Sequence, residues 1–140
     1  MERREFLKKS CSACVAIGAG LMMGSLSSCA SVSIYKTVIN ENKIAVPVSL
    51  FASADLQIIR PTDSEYDIAL RKELNGNYTA LLLRCTHAAN QLNSSGNGFY
   101  CTLHGSKFDK EGIVTKGPAE HSLKKFTTEI INDSIIIYIG

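Results

Sequence analysis

Short apolar runs separated by polar turn residues make up the sequence from residue 34 onward. No longer stretch repeats its apolar positions at helical spacing over three turns, and the runs have the length of strands. The pattern therefore predicts an all-β domain of antiparallel strands. The predicted strands cover residues 34–39, 44–50, 56–60, 67–71, 78–84, 123–130 and 134–139.

Turn residues divide these strands and predict how some of them pair. Asn40-Glu41-Asn42 separates the first two strands, and Pro61-Thr62-Asp63-Ser64 ends the third. Asn75-Gly76 and Asn132-Asp133 each lie between two apolar runs, which predicts two hairpins. Pro47 has no amide hydrogen for a neighbouring strand, so we expect its strand at a sheet edge or a bulge.

A segment from Cys85 to about Lys116 interrupts this pattern and is rich in Asn, Ser and Gly. Its composition suggests too little apolar surface for the segment to order itself. We therefore expect a loop-rich subdomain that something else must hold in place. The first candidate is a metal centre that bridges its two ends.

Residues 1–28 predict a signal peptide, with a basic start followed by a short apolar run. The run is interrupted by glycines and serines and is short for a membrane span. Arg3-Arg4-Glu5-Phe6-Leu7-Lys8 resembles the twin-arginine export signal, although Glu2 stands where Ser or Thr is usual. A Sec signal that carries two adjacent arginines is the alternative. Twin-arginine export would let a folded, metal-loaded protein cross the membrane.

Leu26-Ser27-Ser28-Cys29 resembles a lipoprotein box in which Cys29 becomes lipidated. The alternative is a plain cleavage near Ser28 that leaves Cys29 unmodified. Lipidation predicts an exported protein on the periplasmic or cell-envelope side, anchored to a membrane rather than spanning it. Residues 29–33 would then form a tether and residues 34–140 the folded domain.

Charge and cysteine content narrow the possible functions. Four of the fifteen Lys and Arg residues and two of the thirteen Asp and Glu residues lie in the leader, so the remainder is neutral overall. No basic stripe indicates a nucleic-acid partner. With Cys29 lipidated, only Cys85 and Cys101 remain outside the leader. If both bind metal, the metal centre takes the stabilising place of a disulfide.

Two short stretches carry the candidate chemistry: Cys85-Thr86-His87 and Cys101-Thr102-Leu103-His104. Each supplies one thiolate and one imidazole from a tight loop. In a Rieske centre, two cysteines hold one iron of a [2Fe–2S] cluster and two histidines hold the other. The same four side chains also suit a structural zinc ion, and a box that has lost its metal is a further alternative.

These stretches resemble the Rieske [2Fe–2S] family, together with the continuation Gly105-Ser106-Lys107-Phe108-Asp109 and the later Gly117-Pro118-Ala119. The continuation favours a cluster, because it has no role in a zinc ribbon. The resemblance implies an antiparallel β-sandwich of three small sheets, with one [2Fe–2S] cluster in loops at one tip. It also implies the metal ligands, which would be Cys85 and Cys101 on the inner iron and His87 and His104 on the outer iron.

The resemblance assigns supporting roles around the cluster. Gly105 would permit the close turn after the ligand. The Ser106 hydroxyl would lie near a bridging sulfide and raise the reduction potential. Gly117 and Pro118 would belong to a loop that covers the cluster. His121 has no implied metal role, and a solvated loop accounts for Lys107 and Lys110 better than steering of an acidic partner.

The departures from the family pattern carry information about the potential. Quinol-oxidising members have an additional cysteine in each box and a disulfide between them, whereas this chain has Asn90 and Leu103. Those members also have a tyrosine where this chain has Phe108, and a proline where it has Glu120. Fewer hydrogen-bond donors to the cluster and more negative charge near it both favour the oxidised state. We therefore expect a potential below that of the quinol-oxidising proteins, within the family range of about −150 to +300 mV.

The sequence therefore predicts a one-electron carrier rather than an enzyme. Its partners would be redox proteins, such as a cytochrome or an oxidoreductase subunit, and a membrane through the lipid anchor. The alternative is a small electron-transfer subunit of a quinol- or substrate-oxidising complex. A third possibility is a surface lipoprotein whose metal site is purely structural.

Overall fold

The computed structural model describes residues 32–140, so the predicted signal peptide, the lipidation of Cys29 and most of the tether lie outside the described residues. Eleven β-strands and one short 3-10 helix form this part of the chain, which contains no α-helix. The prediction of an all-β domain is confirmed. No helix within residues 32–140 is long and apolar enough to cross a membrane.

The strands follow the apolar runs closely, with small shifts at their ends. They are β1 (Ile34–Thr37), β2 (Lys43–Pro47), β3 (Leu56–Pro61), β4 (Ile68–Lys72), β5 (Tyr78–Leu82), β6 (Asn93–Ser95), β7 (Gly98–Tyr100), β8 (Lys107–Asp109), β9 (Val114–Lys116), β10 (Lys125–Ile131) and β11 (Ser134–Tyr138).

The second predicted strand needs one correction. It ends at Pro47 instead of continuing to Leu50, and Val48–Phe51 forms the 3-10 helix. Proline has no amide hydrogen for the ladder, and its ring fixes φ, which is −61° here. The helical turn places Phe51 in the core, with its ring centroid 4.9 Å from that of Tyr78. As predicted for the strand that contains Pro47, β2 lies at a sheet edge.

Seven strands are connected in the order β1-β3-β4-β5-β10-β11-β2, and β10 divides them into two parts. Its residues Lys125 and Phe126 pair with β5, whereas Thr127–Ile131 pair with β11. With the four-stranded sheet β6-β7-β8-β9, this gives the three sheets that the family resemblance implies. One pair departs from the antiparallel pattern, because β1 runs parallel to β3. The long connection through β2 and the 3-10 helix makes this direction possible.

The main core lies between the two parts of the seven-stranded assembly. Ile44 and Val46 on β2 and Ile135 and Ile137 on β11 point inward and are completely buried, as strand alternation requires. Burial of each such side chain contributes about 1.5–3 kcal/mol. Strands β1 and β2 lie at the two ends of the strand order. The turn that contains the Asn40–Lys43 bridge follows β1 and leads directly into β2, so it joins these two edge strands.

The segment from Cys85 to Lys116 is more ordered than its composition suggested. It remains loop-rich, since its strands β6 to β9 have three residues each. However, it supplies Leu92, Phe99 and Phe108 to a second core, which also contains Leu81 and Leu123. In β7 and β8 only the central residue, a phenylalanine, is buried. The many Asn, Ser and Gly residues of the segment make its average composition polar, although it contains these two buried rings. The segment therefore buries more apolar surface than its composition suggested, and it does so against Leu81 and Leu123 from outside the segment.

Candidate metal centre

The first candidate loop begins where β5 ends and returns on itself within seven residues. The Cys85 backbone amide donates to the Asn90 carbonyl oxygen at 2.9 Å, and the Leu92 amide donates to the Leu83 carbonyl oxygen at 2.9 Å. An isolated bridge between Arg84 and Gln91 lies between these bonds. This narrow loop holds the Cys85 side chain inside the second core, while His87 near its tip is exposed.

The second candidate loop connects β7 to β8. The Cys101 amide donates to the Ser106 carbonyl oxygen at 2.9 Å, and the Gly105 amide donates to the Cys101 carbonyl oxygen at 3.0 Å. Gly105 has a φ of +79°, in the left-handed region that glycine adopts without strain. The turn buries Cys101 and exposes His104, so it repeats the arrangement of the first loop.

The four candidate ligands form two pairs with opposite exposure. Cys85 and Cys101 are 2% and 1% exposed and form no disulfide. His87 and His104 are exposed, with ring centroids 4.9 Å apart and ring planes at 83°. The structure therefore places the two cysteines in the interior and the two histidine rings next to each other at the surface.

The surroundings of Cys101 favour its thiolate form. Burial raises the pKa of this thiol, but hydrogen bonds from four groups outweigh burial, and the pKa lies below its ordinary value. A thiolate is the form that binds metal. The four groups are the backbone amides of Leu103 and His104 and the side chains of Cys85 and Asn90.

Three side-chain hydrogen bonds connect the two loops and the segment that follows Pro118. Asn90 Nδ2 lies 3.6 Å from Cys101 Sγ and joins the first loop to the second. The Ala119 amide donates to Ser106 Oγ at 3.0 Å and joins the second loop to the third segment. Thr86 Oγ1 donates to the His121 carbonyl oxygen at 2.7 Å and closes the ring. Each of the three segments is thus held by the other two.

The remaining predicted site residues lie around these loops. Ser106 is completely buried, and Phe108 is 2% exposed and packs in the same core as the two cysteines. Gly117 and Pro118 are exposed at the surface and precede the buried Ala119. His121 and Glu120 are also exposed.

The two lysines near the second loop differ in their surroundings. Lys107 and Lys110 are both exposed. The Lys110 amine lies 3.6 Å from a Glu111 carboxylate oxygen, so part of its charge is compensated.

The sequence did not identify two of the residues that connect the loops. Asn90 was noted only as the residue in place of a cysteine, and Thr86 only as the spacer within its box. Their hydrogen bonds depend on how the loops face each other, which the spacing of the boxes does not encode. Polar side chains inside or just after a ligand box are the signal that points to such contacts.

The donor set fits a [2Fe–2S] cluster. One iron of a Rieske centre needs two thiolates and the other needs two imidazoles, which matches a buried cysteine pair next to an exposed histidine pair. A single zinc ion needs three or four such side chains around one point. Within residues 32–140 no three His, Cys, Asp or Glu side chains are grouped in that way.

Known proteins that this chain resembles agree with the fit. The sequence profile of the Rieske [2Fe-2S] domain matches residues 47–127. The chain is 29% identical over 87 residues to the Rieske subunit of the mitochondrial cytochrome b-c1 complex of Gallus gallus, covering 60% of this chain and 31% of that protein. It is 34% identical over 77 residues to the cytochrome b6-f complex iron-sulfur subunit of Synechococcus sp. strain CC9605, covering 54% of this chain and 43% of that protein. It therefore spans less than half the length of these relatives.

Solved structures show the same fold at low sequence identity. The cyanobacterial plasma membrane Rieske protein from Synechocystis PCC 6803 superposes with a TM-score of 0.55 at 24% identity, covering 67% of this chain and 97% of that one. Naphthalene 1,2-dioxygenase superposes with a TM-score of 0.57 at 19% identity, covering 74% of this chain and 27% of the enzyme. Since the domain profile matches more than half of the residues, this chain belongs to the Rieske [2Fe-2S] domain family.

Proposed function

We propose that this protein carries one electron at a time on a [2Fe–2S] cluster that Cys85, His87, Cys101 and His104 hold. The observation that carries the proposal is the pairing of two buried sulfurs with two exposed imidazoles across loops that hydrogen bonds connect. The bound cluster supplies the one-electron chemistry. The relatives named above are the Rieske subunit of a cytochrome b-c1 complex and the iron-sulfur subunit of a cytochrome b6-f complex, which supports the same role.

The protein's own residues have separable tasks in this function. The buried thiols sit among apolar side chains, which limits access of water to the inner iron. The exposed rings of His87 and His104 would hold the outer iron at the surface, where a partner protein can approach it. Backbone amides of the second loop donate to Cys101 and stabilise its thiolate. Ser106 would donate its hydroxyl hydrogen to a sulfide of the bound cluster.

We place the domain outside the cytoplasm, tethered to a membrane through lipidated Cys29. The twin-arginine-like start and the lipoprotein box support this location. Changing Arg3 and Arg4 to lysine should abolish export, and Cys29→Ala should release the domain into the soluble envelope fraction. Labelling with a radioactive fatty acid and cell fractionation measure both effects. Export of the twin-lysine variant with an intact cluster would contradict the twin-arginine route.

A second candidate is a subunit of a larger oxidoreductase complex. The two relatives named above are subunits of the cytochrome b-c1 and cytochrome b6-f complexes, which favours this alternative. The fold is also shared with dioxygenases, in which the matched part is only 27% of the enzyme chain. Mild detergent extraction followed by size-exclusion chromatography separates the candidates. A free carrier elutes as the single chain, and a subunit elutes with its partners.

The proposed cofactor has a direct test. Anaerobically purified protein should contain about two irons and two acid-labile sulfides per chain, as one [2Fe–2S] cluster requires. The reduced protein should give an electron paramagnetic resonance spectrum with a lower average g than a cluster with four cysteine ligands. His104→Cys should move the spectrum toward that four-cysteine form. A colourless, iron-free protein would overturn the proposal, and one zinc per chain would support the structural alternative.

A further inference from the structure

Asn90 contacts both candidate cysteine ligands by two different groups. Its backbone carbonyl oxygen accepts the Cys85 amide hydrogen at 2.9 Å. Its side-chain Nδ2 lies 3.6 Å from Cys101 Sγ, a distance typical of a hydrogen bond to sulfur. The other donors to this sulfur include the Leu103 and His104 amides of its own loop. Asn90 therefore supplies a donor from the opposite loop.

The amide group is held in this orientation by a second contact. Asn90 Nδ2 also lies 3.2 Å from the Gln91 carbonyl oxygen, so its two hydrogens can serve two acceptors. The residue is partly buried, which reduces competition from water for these bonds. A neutral amide in this place adds a donor without adding a charge.

We propose that Asn90 is a positioning residue that raises the reduction potential of the cluster and fixes the spacing of its two loops. This inference rests on the proposed function. A reduced cluster carries one more negative charge, part of which resides on the ligand sulfurs. An N–H donor to Cys101 stabilises that charge and so favours the reduced state. The side chain thereby connects two loops that no disulfide joins.

Side-chain variants at this position isolate the sulfur contact, because the backbone bond to Cys85 remains in all of them. Asn90→Leu has a similar size and no donor. Asn90→Asp keeps the shape and replaces the donor by a negative carboxylate. Asn93→Leu is the matched control, because Asn93 is exposed on β6 and its side chain makes no hydrogen bond within residues 32–140.

The readout is the midpoint potential of the intact, cluster-loaded protein by film voltammetry, together with its electron paramagnetic resonance spectrum. We expect Asn90→Leu to shift the one-electron equilibrium about tenfold toward the oxidised state, which is a fall of about 59 mV. Asn90→Asp should lower the potential at least as far, and Asn93→Leu should leave it unchanged. Small changes in g values at position 90 would accompany the shift.

Several outcomes would overturn the inference while leaving the proposed function intact. One is a loaded Asn90→Leu protein whose potential equals that of Asn93→Leu. Another is a lower thermal stability with an unchanged potential, which would leave Asn90 its contact between the loops and overturn its effect on the cluster. If Asn90→Leu does not fold, an Asn90→Asp protein with the wild-type potential would overturn the inference instead. A wild-type protein without a cluster would instead contradict the proposed function.

Discussion

The Ser106 hydroxyl oxygen accepts a hydrogen bond from the Ala119 backbone amide at 3.0 Å. Ser106 is completely buried and Ala119 is 4% exposed, so this bond fixes the second loop to the segment after Pro118 in the interior. Among the described residues, the hydroxyl hydrogen has no protein acceptor. We therefore expect it to donate to a sulfide of the bound cluster, in addition to the loop contact with Ala119.

Ser106→Ala should affect both stability and potential. The variant leaves a buried Ala119 amide without its acceptor, which costs about 1–3 kcal/mol in free energy of unfolding. It also removes the hydroxyl donor, so the midpoint potential should fall. Denaturant unfolding and voltammetry measure the two effects, with Ser95→Ala on the exposed end of β6 as the control. A potential equal to that of the control would show that the hydroxyl does not reach the cluster.

Phe108→Tyr should raise the midpoint potential. Phe108 is 2% exposed and lies in the same core as Cys85 and Cys101. As the family resemblance implies, we expect a phenolic hydroxyl there to donate to a ligand sulfur. Phe51 is 4% exposed and lies in the main core, which contains neither cysteine, so Phe51→Tyr is the matched control. Voltammetry should show a rise for Phe108→Tyr that exceeds the change for Phe51→Tyr. An equal or lower potential would contradict this explanation of a low-potential centre.

Gly98→Ala should reduce cluster content by disturbing the pairing of β7 with β8. A Cβ atom at this position would overlap the Phe108 backbone carbonyl oxygen, which no side-chain movement can relieve. The two strands hold the second loop at its base, so their separation moves Cys101 and His104. We expect a loss of about 1–3 kcal/mol in stability together with less bound iron per chain.

Gly96→Ala is the control for this effect. Gly96 has a φ of +53° and no atom within 4 Å of a Cβ position. The substitution strains the backbone by about 1–2 kcal/mol, so it lowers stability without moving the strands. Iron content should remain at the wild-type level. A Gly98→Ala protein that retains full iron content would show that the loop tolerates a displaced strand.

The apolar runs were sufficient to predict most of the strands, because burial on one face imposes a period of two on the sequence. Ile135 and Ile137 are buried and Ser134 and Ile136 are not, as the alternation requires. The partner of β1 could not be predicted in the same way. The alternation of apolar and polar residues in an edge strand is compatible with pairing to any neighbouring strand. The parallel pairing of β1 with β3 depends on the path of the intervening chain.

The candidate ligands were predicted on a different basis. Their residue types and short spacing follow from the coordination chemistry, and the structure places the two histidine rings side by side and leaves both cysteines as free thiols. The contacts that support the loops were not predictable, since Asn90, Thr86 and Ser106 reach partners 11 to 35 residues away. Such contacts arise only after the sheets have set the distance between the loops.

Removal of the cluster should unfold the two halves of the domain to different extents. The main core contains neither cysteine, and its strands pair independently of the loops. The second core contains Cys85 and Cys101 themselves. Loss of the cluster therefore removes the group that would hold these two side chains and the loops around them in place.

Hydrogen exchange on a Cys85→Ala and Cys101→Ala double variant can measure this difference. Amides of β2 and β11 should keep wild-type protection, whereas amides of β6 to β9 and of both loops should exchange much faster. The two connecting hydrogen bonds that do not involve Cys101, together with the buried Phe99 and Phe108, should leave residual protection in β7 and β8. Equal loss of protection throughout residues 32–140 would show that the domain folds as one unit that depends on its metal.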